Sequence, residues 1–119
     1  MKRWVLAVAL SMISMATYGH AHLQKSQPEN NHTVTESPKQ VVLEFNEAVR
    51  LIVLTVQKDE GKPQSLAPLP TAVAKKISVA MPTLEAGRYL VKWRASGDDG
   101  HVVSGEVAFT VAAGEHKTL

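Results

Sequence analysis

Asp99 and His101 stand two residues apart in the stretch DDGH, Asp98 to His101. In extended backbone that spacing sends both side chains off the same side. A carboxylate oxygen and an imidazole nitrogen can then meet on one ion. His20 and His22 have the same spacing in HAHLQ, directly after an apolar run near the start of the chain. His32, in the polar stretch ENNHT, and His116, in the C-terminal GEHKTL, complete the five histidines; His32 reads as solvated and His116 as part of a frayed tail. There is no cysteine, which excludes disulfides and thiolate ligands together. Metal chemistry falls to nitrogen, oxygen and thioether donors.

What His20 can do depends on where the working chain begins. Lys2 and Arg3 precede the apolar run Trp4 to Ala16, and small residues follow in ATYGHA, the three parts of a secretory signal. The run has 13 residues, short of the about 20 that a bilayer span needs. Small residues permit cuts after Ala16, Gly19 or Ala21. Only the cut after Gly19 gives His20 a free α-amino group. Its amino nitrogen and imidazole can then close one chelate ring on a metal, and His22, third in the mature chain, can reach the same ion. A histidine at position three also favours square-planar Cu(II) or Ni(II), by recruiting deprotonated backbone amides. Nitrogen and oxygen donors in a tetragonal array suit Cu(II), which heads the affinity order of the divalent first-row metals.

Removing residues 1–19 leaves 100 residues, enough for one domain. The formal charge of +2 belongs to Lys2 and Arg3; the remainder holds 11 basic and 11 acidic side chains. That balance offers no basic surface for nucleic acid, and no part of the mature chain is expected to insert into a membrane.

The elements that must position these residues read as strands. Val41, Leu43 and Phe45 alternate; so do Ile52, Leu54 and Val56; Ile77, Val79 and Met81; Tyr89, Val91, Trp93 and Ala95; and Val107, Phe109 and Val111. A period of two marks strands with one buried face. Pro28, Pro38, DEGKP, APLP, Pro82 and Gly87 separate them. EAVRLI, Glu47 to Ile52, has helical spacing, but the β-branched run around it argues for strand. Five clear strands, with weak ones near the mature N-terminus and in TAVAKK, make an all-β sandwich. In DDGH, Gly100 permits the positive φ of an ordinary turn.

HAHLQKSQP, VVLEFNEAV and AGRYLVKWRASGDDGHVVSGEVAFTV, taken together, resemble the CopC family of periplasmic copper-binding proteins over nearly all of residues 20–112. The most specific part is a tryptophan followed by the Asp-x-His block before a final strand, joined to a histidine directly after the leader. The resemblance implies a signal peptide over 1–19 and a copper-binding domain over 20–119. It implies a seven-stranded Greek-key β-sandwich, immunoglobulin-like and related to cupredoxins. Carried over residue by residue, it implies Cu(II) held by His20 with its amino group, His22, Asp99 and His101. Some members add a methionine-rich Cu(I) loop. Here the mature chain keeps one methionine, Met81, on a core face, and DEGKPQSLAPLP has neither methionine nor histidine. One Cu(II) site is therefore expected, in a copper carrier or buffer that can act with a CopD-type inner-membrane transporter.

Two other classes compete. Oxidative polysaccharide-cleaving enzymes also hold copper with an N-terminal histidine, but they need an extended, often aromatic, binding face. Tyr89, Trp93, Phe45 and Phe109 all fall on expected core faces, so the chain reads as a non-enzyme. A plain adhesion module, with incidental histidines, would take up no copper tightly.

Overall fold

A computed structural model describes residues 21–113 as an all-β sandwich of seven strands, with no helix among the described residues. They are β1 (Leu23–Gln27), β2 (His32–Val34), β3 (Gln40–Lys58), β4 (Gln64–Ser65), β5 (Ala74–Ala80), β6 (Gly87–Ser96) and β7 (Val102–Val111). The expected alternation holds over β6, where Tyr89, Val91, Trp93 and Ala95 are buried, and over β7, where Val107, Phe109 and Val111 are. All four aromatics of the described chain lie in the core.

β3 organises the molecule. Its first half pairs antiparallel with β1 and β5 in one sheet; its second half pairs antiparallel with β6 and β4 in the other. β7 then pairs antiparallel with β6, and β2 closes that sheet by pairing parallel with β7. The sequence reading split β3 into two strands. No proline or glycine interrupts Gln40–Lys58, so nothing stops one strand from running through both sheets. EAVRLI is extended throughout, as its β-branched surroundings suggested. TAVAKK and KISVAM likewise merge, as β5.

One face assignment is corrected. Ile52 was expected inward with Leu54 and Val56, yet it is exposed and Leu51 is buried instead. The register of β3 against β6 shifts between Leu51 and Val53. This bulge inserts one residue, so two side chains in a row leave the core. His32, read as loop, begins the short strand β2.

Between the sheets, Trp93 meets Phe45 edge to face at 5.0 Å, and Tyr89 stacks on Phe109 at 5.5 Å. Such pairs add to the area that each ring buries. Gly105 lies opposite Trp93 in the β6–β7 ladder. A Cβ there would sit 2.6 Å from Trp93 Cζ2, so the indole occupies the room that a side chain would need. Overpacking of this kind costs about 1–3 kcal/mol.

Candidate metal centre

Ser96 pairs with Val102 at the end of the β6–β7 hairpin, and the turn between them carries Asp99 and His101. The Gly97 N–H donates to the His101 carbonyl at 2.9 Å, and the Gly100 N–H to the Gly97 carbonyl at 3.0 Å. Gly100 has φ +85°, the left-handed conformation that glycine adopts without steric cost. Asp99 folds over the following backbone: its Oδ1 accepts the His101 N–H at 3.0 Å, and its Oδ2 meets His101 Nδ1 at 2.8 Å. An aspartate that bonds the backbone two residues on is a common turn device. Here it also fixes the imidazole.

The pair has chemical consequences. The 2.8 Å between Nδ1 and Oδ2 is the length of a charge-assisted hydrogen bond. Both atoms would be available as donors to an ion once the proton between them is lost. The hydrogen bond with the His101 side chain lowers the Asp99 pKa. The same bond, aided by the charge of Asp99, raises the pKa of His101. Both groups are exposed, so the effect on fold stability is screened.

The chain's entry into the sandwich lies against the same turn. Ala21 is buried, and its Cβ is 3.6 Å from the place where a side chain on Gly97 would begin. Asp99 Oδ1 is 3.4 Å from that place and Glu47 Oε2 is 3.2 Å from it. Gly97 thus leaves a gap that the first described residue, the turn carboxylate and a carboxylate of β3 all border. The next residue is clamped by its backbone: the His22 N–H donates to Asn46 Oδ1 at 2.6 Å, and the Asn46 N–H to the His22 carbonyl at 3.1 Å. The His22 side chain is exposed.

Asp99 and His101 are therefore brought together, and His22 is anchored on the strand that presents Glu47. His20 and His116 lie outside the described residues. Among the described residues, no three His, Asp or Glu side chains form a ready metal cluster. His32 pairs with Glu29 at 3.0 Å. Glu47 escaped the sequence reading. Its signal was there: the register that buries Val41, Leu43 and Phe45 sets a carboxylate at the next inward position of the same strand.

Known proteins resemble this chain over most of its length. The CopC domain family matches residues 23–112. A relative named copper resistance protein C, from Xanthomonas campestris pv. juglandis, is 32% identical over 117 residues, covering 90% of this chain and 91% of its own. The copper transport protein CutJ of Bacillus subtilis is 28% identical over 92% of this chain, which spans only 21% of that longer protein. Among solved structures, CopC from Methylosinus trichosporium OB3b superposes with a TM-score of 0.72 at 27% identity, covering 83% of this chain and all of the other.

Proposed function

The chain belongs to the CopC family, a family of copper-related proteins, and we propose that it is an exported, periplasmic copper carrier with a single Cu(II) site. The site lies between the mature N-terminus and the Gly97–His101 turn. Its ligands are the amino group and imidazole of His20, the imidazole of His22, and the side chains of Asp99 and His101. One observation carries this reading: Ala21 packs against the turn that holds Asp99 and His101 together. The segment bearing the N-terminal histidines therefore enters the fold at the preformed Asp–His pair. Glu47 adds a second carboxylate beside it, which favours a divalent cation by charge.

Met81 is buried with Ile77 and Val79, which supports a site for Cu(II) without a companion thioether site for Cu(I). The burial of Phe45, Tyr89, Trp93 and Phe109 removes the aromatic platform that an oxidative polysaccharide enzyme would use, and favours carriage over catalysis. The relative in which a similar segment is joined to a much longer copper transport protein supports a membrane transporter of the CopD type as the exchange partner.

The test joins two measurements. The mass of the exported protein should begin at His20. That protein should then take up one equivalent of Cu(II) with a nitrogen-rich tetragonal paramagnetic signal. One extra residue before His20 should abolish the tight phase. A mature chain starting at Thr17 or His22, or affinity indifferent to the added residue, would sink the four-residue site.

A further inference from the structure

The two outer faces of the sandwich differ in how their charges are balanced. On the sheet of β1 and β5, Glu44 lies in register between Lys25 and Lys76, so that row of charges is nearly compensated. On the β6 sheet, Lys92 stands opposite Glu106, but the next two rows toward the metal turn hold no carboxylate. They read Val53–Arg94–Ser104 and Arg50–Ser96–Val102. Arg50, Lys92 and Arg94 are exposed. The three ion pairs among the described residues use none of them.

Apolar groups accompany these cations. The β3 bulge turns Ile52 out to 44% exposure, and Val102, the residue after His101, is 50% exposed. Val53, Thr55 and Pro63 line a groove of about 560 Å³ with Lys92, Arg94 and Glu106. Arginine is enriched at protein contacts. Bulges that re-aim a side chain also gather near functional sites. This face adjoins the turn through Ser96 and Val102, and metal exchange requires a partner to reach that turn.

We propose that the part of this face nearest the turn, Arg50, Ile52, Arg94 and Val102, docks a carboxylate-bearing surface of the protein that exchanges copper with this chain. The inference rests on the carrier reading above. The occupant follows from charge: two arginines without a carboxylate in their rows call for acidic groups, and the two aliphatic side chains call for an apolar centre between them. Asp98 and Asp99 at the turn stand beyond these rows. The partner's carboxylates therefore belong over Arg94 and Arg50 and not over the tip.

The test titrates the nitrogen-15-labelled, copper-free protein with a synthetic peptide alternating glutamate and leucine. Amide shifts should gather at residues 50–53, 94–96 and 102–104. Arg50→Glu with Arg94→Glu should weaken binding by about tenfold or more, as should raising the salt to about 0.5 M. Lys25→Glu with Lys76→Glu, on the opposite face, should leave it unchanged. Both double variants should still take up one Cu(II), so a docking failure and a failure of the copper site are read separately. Shifts on the Lys25–Lys76 face, indifference to Arg50 and Arg94, or no binding to the peptide would each overturn the proposal. So would binding to phosphatidylglycerol vesicles in place of the peptide, which would make the face a membrane contact.

Discussion

Two imidazole–carboxylate pairs of similar length stand on this sandwich: His101 with Asp99 at 2.8 Å, and His32 with Glu29 at 3.0 Å. Each is exposed, and each joins residues close in sequence. They differ in what comes to meet them. Glu29 precedes and His32 begins the edge strand β2, which among the described strands pairs with β7. Asp99 and His101 lie on a turn bordered by Ala21, just before β1, and by Glu47 of β3. A pair alone is a surface contact of the kind that contributes little. Convergence of separate chain segments is what turns a pair into a candidate site.

The sharpest way to break this contrast is to remove what converges on the turn. His20→Ala takes away an imidazole and its chelate with the amino group. Its Cu(II) affinity should fall beyond the about 100-fold that loss of an outer-sphere partner costs. Calorimetric or competitive titration of the mature protein measures it, and a loss no larger than that from His32→Ala would erase the distinction between the pairs.

His101→Ala should come second. It leaves the N-terminal chelate in place and removes one donor, so one Cu(II) should still bind, weaker by at least the about 10-fold that loss of an outer-sphere partner costs and with fewer nitrogens in its paramagnetic signal.

Asp99→Asn is subtler and reports through protons. In the copper-free protein Asp99 raises the His101 pKa, so the charged pair favours the fold above the lowered pKa of Asp99 and below the raised pKa of His101. That contribution is lost as pH falls through the first or rises through the second. In Asp99→Asn the His101 titration, followed by its ring resonances, should move down toward the usual 6.5. At the proposed site copper must displace the His101 proton. In the native protein, acid should therefore empty the site at limiting copper from a higher pH than an unpaired imidazole would allow. An unchanged His101 titration would mean that the 2.8 Å contact does not persist in solution.

The smallest expected effect is the control. His32→Ala should leave copper affinity and the paramagnetic signal unchanged within error. Any measurable loss would promote the Glu29–His32 pair to a ligand set.

What could be read from the sequence follows the same division between local and distant. Period-two burial made β6 and β7 legible residue by residue, because each runs straight against its neighbours. The turn was legible because Gly100, Asp99 and His101 settle their geometry within a few residues. Ile52 was misassigned, since a bulge depends on register with β6, some forty positions away in the chain. The three-residue β2 and two-residue β4 carry too little pattern to stand out. Glu47 was overlooked for a related reason: its proximity to Asp99 exists only once β3 and the β6–β7 hairpin have come together.

The passage of β3 through both sheets has a kinetic side. Its amides near Leu43 and Leu54 are flanked by strands on both sides, and those residues are among the most buried of the chain. They should exchange hydrogen with solvent only when the whole domain opens. The amides of Asp98 and Asp99, in an exposed turn, need only a local fluctuation. At the proposed site, ligands on such a turn can be exchanged many times within the lifetime of a single folded molecule. The proposed cargo ion can then come and go while the long strand beneath keeps the sandwich shut.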